Sequence, residues 1–102
     1  MKPNQQSDIV RRLHCAAGHL EAVIKMAEGN EPCEQVLQQL TAVDAALRAV
    51  GTRLILGQTQ SSRSIILDSP SLQQRSAELK RLQSLYTILM KYSNHHSEVS
   101  HD

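Results

Sequence analysis

The sequence predicts an all-α fold: three helices per chain, with the first two long, antiparallel and completed as a four-helix bundle in a dimer. Three observations carry this. Apolar residues recur at alternating steps of four and three over two long stretches. Only a few residues separate those stretches, and they are helix-stopping and helix-starting types. The apolar content, 40% of 102 residues, comes almost wholly from small aliphatic side chains, with no Trp, no Phe and only Tyr86 and Tyr92. Such side chains suit helices packed closely on helices.

The first helix is expected over residues 8–28. Its seam is Ile9, Leu13, Ala16, Leu20, Val23 and Ala27. Ser7 or Asp8 is the expected cap, because a short polar side chain there accepts from the free backbone N–H groups of the first turn. Gly29 and Asn30 are the stop signal. The second helix is expected over 31–60, with Asn30 as its cap and Pro32 in its first turn, where a missing N–H costs nothing. Its seam is Val36, Leu40, Val43, Leu47, Val50 and Leu54. The polar stretch that follows, "QTQSSRSIILDSPS" (58–71), reads as a loop. Ser69-Pro70 reads as a cap and first-turn proline for a third helix over 70–92, carrying Leu72, Leu79, Leu82, Tyr86 and Leu89. Residues 1–93 then form one domain, and 94–102 a polar, histidine-bearing tail.

Two seams joined by so short a connection must run antiparallel. A hairpin and a short third helix leave much of both seams uncovered, and a second copy laid face to face covers them. The dimer follows from this.

Composition excludes several classes. A net charge of +1, from 11 basic and 10 acidic residues, is far from a strongly basic nucleic-acid domain, so any basic patch must come from clustering. Two cysteines at unrelated spacing make no disulfide framework. No apolar run is long enough for a membrane span, and "MKPNQQSD" lacks the apolar stretch of a secretory signal, so a cytoplasmic protein is expected. There is no glycine-rich phosphate loop and no nucleophile with a spaced base, so no enzyme is expected.

Four arginines do cluster by topology. Arg11 and Arg12 begin the first helix, and Arg48 and Arg53 lie toward the end of the second. In an antiparallel pair these ends adjoin, which makes either one candidate phosphate-contacting face per hairpin or, as the plainer reading, a solvated, salt-bridged face. Cys33 stands in the first turn of the second helix, where backbone dipoles favour a thiolate, although Glu31 and Glu34 oppose that. It reads either as a small buried residue or as a metal ligand or reactive thiol. Cys15 and His19, one turn apart, have the spacing of a ligand pair, but a flanking structural role is the plainer reading. His95, His96 and His101 form a loose terminal cluster; such tails bind transition metals weakly, but more often they are solvated and disordered.

The segment "RRLHCAAGHLEAVIKMAEGNEPCEQVLQQLTAVDAALRAV" (11–50) resembles the CsoR/RcnR/FrmR family of bacterial metal- and small-molecule-responsive repressors. "GHLEAVIKM" (18–26), "PC" (32–33) and "VLQQLTAVDAAL" (36–47) carry the likeness. The resemblance implies an all-helical protein, dimeric and usually paired into a homotetramer, that binds operator DNA through basic faces of the bundle. It implies release by an effector held between two subunits. Copper, nickel, cobalt and zinc are the metal ions to consider.

In that family the first effector ligand is a cysteine at the start of the second helix, which Cys33 matches. The partner positions, on the other subunit, fall on Gln58 and Ser62, and neither is a ligand for a soft metal. Glu78 matches an acidic residue that supports the site from behind. If the missing ligands are replaced, His95 and His96 are the candidates. Otherwise Cys33 acts alone as a thiol, or sensing is lost and the fold retained as a helical interaction protein with weak or no DNA binding. Arg12 matches a family arginine on the DNA-contacting face. Ala17 and His14 stand where basic residues are common, and Asp44 adds an acid, so fewer phosphates would be neutralised.

Overall fold

The computed structural model describes residues 1–99, with side chains through residue 93. It contains α1 (Pro3–Glu28), α2 (Cys33–Asp68) and α3 (Leu72–Val99) and, among the described residues, no strand. The all-α expectation holds. Five of the six helix boundaries move, each for an identifiable reason.

α1 starts at Pro3 rather than Asp8. Proline is well placed at a first helical position. The Gln5 side chain reaches back to accept from the Lys2 backbone N–H at 3.2 Å. Asp8 is therefore inside the helix, where it is free for other work. At the other end Asn30, with φ of 58°, takes the left-handed conformation that closes α1. Glu31 N–H donates to Met26 C=O at 3.1 Å and Asn30 N–H to Ala27 C=O at 3.2 Å, the double closure of a Schellman turn. Asn30 thus ends one helix instead of capping the next. Pro32 holds the flanking position, and Cys33 is the first residue of α2.

α2 does not stop near residue 60; it continues to Asp68. The polar stretch read as a loop is helical, with its hydroxyls satisfied within the helix or across to α3. Thr59 Oγ1 donates to Ile55 C=O at 2.8 Å and Ser61 Oγ to Gly57 C=O at 3.1 Å. The extra turn at the start of α1 covers this extension. Gln5 hydrogen-bonds Gln60, and a Cβ at Gly57 would lie 3.5 Å from Met1 Cγ. The helix ends where it must. Pro70 disfavours helical geometry at Ser69, whose ψ is 133°. The cap of α3 is Ser71, not Ser69, since Ser71 Oγ accepts from Gln74 N–H at 3.1 Å. α3 runs past residue 92 to Val99, a segment without glycine or proline to interrupt it.

The three helices lie side by side with α2 in the middle; α1 and α3 do not touch each other among the described residues. Cross-links between α1 and α2 are Gln5 to Gln60, Asp8 to Arg53 and His19 to Gln39. One number rises as the other falls, so the pair is antiparallel. Ser62 to Glu78 and Ile66 to Arg75 give the same relation for α2 and α3. Farther along, Gly51 lets α3 approach closely, because a Cβ there would come within 3.2 Å of Leu89 Cδ1.

The result is a slab of 61 × 33 × 13 Å, one helix thick, with a radius of gyration of 18.0 Å. A compact chain of this length has a radius near ~13 Å. Each seam is consequently half used. Ile9, Ala16 and Val23 of α1 and Val43 and Val50 of α2 are buried. The alternate seam positions Leu13 (42% exposed), Leu20, Leu40 (39%) and Leu54 face outward.

Candidate nucleic-acid interface and effector position

At the open end of the α1–α2 hairpin, one carboxylate gathers three guanidinium groups. Arg11 Nη2 donates to Asp8 Oδ1 at 2.8 Å, Arg12 Nε to Oδ2 at 3.0 Å, and Arg53 Nη1 to Oδ2 at 3.3 Å. Arg11 and Arg12 follow Asp8 by three and four residues, the spacings at which helical side chains meet. Arg53 arrives from α2. All four side chains are partly open to solvent. The hydrogen bonds from Arg11 and then Arg12, with the charges of Arg12 and Arg53, hold the Asp8 carboxyl below its ordinary value. Arg11 is reciprocally raised by Asp8.

Arg48 does not join this cluster. It lies more than a turn earlier on α2, with a half-buried side chain whose Nε has no hydrogen-bond partner. Arg11, Arg12, Cys15 and His19 line an adjoining cleft of about 220 Å³. Cys15 is exposed beside Arg11, and His19 is engaged across the hairpin, its Nε2 2.8 Å from Gln39 Oε1. His19 is thus tied to α2 through Nε2.

The second set of positions lies on the α2–α3 face. Gln58 Nε2 donates to Ser62 Oγ at 2.9 Å, and Ser62 Oγ donates to Glu78 Oε1 at 2.6 Å. Arg81 Nη1 stands 3.5 Å from the same oxygen. Ser62, at 1% exposure, is the most buried polar residue described, and the Glu78 side chain is 16% exposed. The two positions matched to effector ligands and Glu78 are therefore linked in one chain, with Ser62 bonded to both Gln58 and Glu78.

Cys33 is exposed and distant. Gln58 lies 25 residues along the same helix from Cys33, roughly 37 Å at 1.5 Å per residue, so they share no site within one chain. Among the described residues no three of His, Cys, Asp and Glu come together as a metal site. The side chains of His95 and His96, and the whole of His101, lie outside the described residues.

The profile of the metal-sensitive transcriptional repressors matches residues 5–91. The chain belongs to that family. Searches of curated proteins and of solved structures found no match. The match covers all of α1 except its first two residues, all of α2, and α3 through Lys91. It makes this repressor-family chain one of a metal-sensing group, and it is not a family of enzymes. No described helix is long and apolar enough to cross a membrane.

What sequence reasoning missed here is Asp8. Its spacing to Arg11 and Arg12 is legible, but capping rules offer it, with Ser7, as a cap. The Ser62–Glu78 bond was hidden by reading 58–71 as a loop.

Proposed function

We propose that this protein is a cytoplasmic, DNA-binding transcriptional repressor that works as an assembly of copies. Arg11, Arg12 and Arg53 are its DNA-contacting residues, and Cys33 is the point at which an effector releases the DNA. The observation that carries the reading is the convergence of Arg11, Arg12 and Arg53, from two helices, at one end of the hairpin. Phosphate contact requires such clustering of exposed guanidinium groups and little else. Assembly is supported by the outward half of each seam. A slab 13 Å thick with Leu13, Leu20, Leu40 and Leu54 exposed buries these side chains against a second copy. A dimer built on that face, paired again into a tetramer, repeats the basic face around the assembly.

Among the described residues, the positions matched to effector ligands do not fit a soft metal ion. Cys33 offers one thiolate. Gln58 and Ser62 offer an amide and a hydroxyl that are committed to each other and to Glu78. The reading therefore follows the thiol: an electrophile bonds to the Cys33 sulfur as the thiol proton leaves. A mobility shift on DNA from upstream of the protein's own gene, at low and stated salt, tests the first part. Absence of a shift overturns it. Alkylation in a Cys15→Ala background tests the second. Release that persists when Cys33→Ala is added would overturn the role of Cys33.

A second reading is favoured by the Gln58–Ser62–Glu78 network itself. If that network has replaced an effector site, the chain retains the fold as a helical interaction protein, with degenerate sensing and weak or no DNA binding. A chain that associates with related regulators but shifts no DNA fits this reading.

A further inference from the structure

Asp8 has no role in the reading above, yet it is the centre of the basic cluster. Both of its oxygens are used, and the three donors come from two different helices. A helix-stiffening pair explains Arg11 or Arg12 at their spacings, but it does not explain Arg53, which must be brought from α2. The Asp8 carboxylate carries one negative charge, the same as a DNA backbone phosphate, and presents acceptor oxygens to the same donors. Three arginines and one aspartate leave a local formal charge of +2 instead of +3. All the groups are solvent-accessible, so a phosphate oxygen and the carboxylate compete for the same guanidinium edges. Arginine has five N–H donors, so Asp8 can hold each one while leaving other edges open.

We propose that Asp8 is an intramolecular phosphate mimic, a fixed counter-ion that competes with the DNA backbone for Arg11, Arg12 and Arg53 and so lowers DNA affinity and its salt dependence. This rests on the reading of those arginines as phosphate contacts. The carboxylate keeps the basic face assembled when DNA is absent. It also sets a ceiling on sequence-independent binding, which is useful to a regulator that must leave DNA readily. Removing the charge while keeping the shape frees one cationic equivalent in each protomer that touches DNA.

The experiment is fluorescence anisotropy of the full-length protein on labelled duplex DNA. One duplex carries the region upstream of its own gene and the other is scrambled, each titrated across a salt series. Wild type, Asp8→Asn, Asp8→Ser, Arg12→Ala and Arg53→Ala are compared, with circular dichroism and sedimentation confirming that each variant is folded and assembled. Asp8→Asn and Asp8→Ser are expected to bind both duplexes about 3–10-fold more tightly near 0.1 M salt, with a slope of log affinity against log salt steeper by about 0.9 per engaged protomer. Arg12→Ala and Arg53→Ala are expected to weaken binding. If the two arginine variants weaken binding but both Asp8 variants leave it unchanged or reduce it, Asp8 organises the arginines and does not compete with phosphate. If wild type binds neither duplex, or the arginine variants bind as wild type does, the arginine reading fails and the proposal falls with it.

Discussion

Ser62 and Glu78 join α2 to α3 through a hydroxyl-to-carboxylate hydrogen bond of 2.6 Å, made by a serine that is 1% exposed. Gln58 completes the chain from one turn earlier on α2. This is the buried polar link that sets α3 against the middle helix. Removing the hydroxyl leaves Glu78 without its inter-helix donor and Gln58 Nε2 without its acceptor. Ser62→Ala is expected to lower unfolding free energy by about 1–3 kcal/mol, measured by urea denaturation at fixed protomer concentration. A change within experimental error would mean that water replaces the hydroxyl at no cost.

The Asp8 clasp predicts a pH signature. Its folded-state value lies below the ordinary 3.8, owing first to the Arg11 hydrogen bond. The linkage therefore has one sign: its contribution is present above about pH 4 and is lost as pH falls through the lowered value. Thermal unfolding of wild type and Asp8→Asn should differ by a constant amount from neutral pH down to that point. Below it the two should converge. Added salt should shrink the gap, because the groups are exposed. A gap that widens on acidification would contradict the assignment.

Leu40, on the outward half of the α2 seam, is 39% exposed in one chain. Leu40→Glu is expected to dissociate the assembly in sedimentation velocity and to lower thermal stability. Each leucine enters a two-fold interface twice, so the loss is about 3 kcal/mol or more per dimer. An unchanged sedimentation coefficient would show that assembly uses another face.

The donor set predicts a gain of function. Wild type titrated with copper(I), nickel(II), cobalt(II) or zinc(II) under reducing conditions should show no tight binding that depends on Cys33. Gln58→His combined with Ser62→Cys should create it, since imidazole and thiolate then oppose the Cys33 of another copy. Adding Cys33→Ala should abolish the new site. Binding that survives that change would place Cys33 away from the partner's α2.

The turn at Asn30 is a local test. A left-handed φ of 58° suits asparagine or glycine and opposes other side chains. Asn30→Gly should therefore be near neutral, whereas Asn30→Val should cost about 1–2 kcal/mol in the same denaturation assay.

Much of this protein was determined by sequence alone. The alternating steps of four and three placed two long helices, because helical periodicity leaves one stripe apolar. The short stop-and-start segment at Gly29–Pro32 required them to be antiparallel. That juxtaposed Arg11 and Arg12 with Arg48 and Arg53, of which the structure brings only Arg53 into the cluster. Cys33 at the start of the second helix was legible for the same local reason.

Only the tertiary structure decided the rest. Residues 58–68 carry no apolar stripe, so nothing local marks them as helix. They are helical because Gln5 and Met1 cover one side and Glu78 accepts from Ser62 on the other. Asp8 looked like a cap because capping is a local rule, and local rules do not see α2. Its role was set by a guanidinium 45 residues away, brought within 3.3 Å by the packing of two helices.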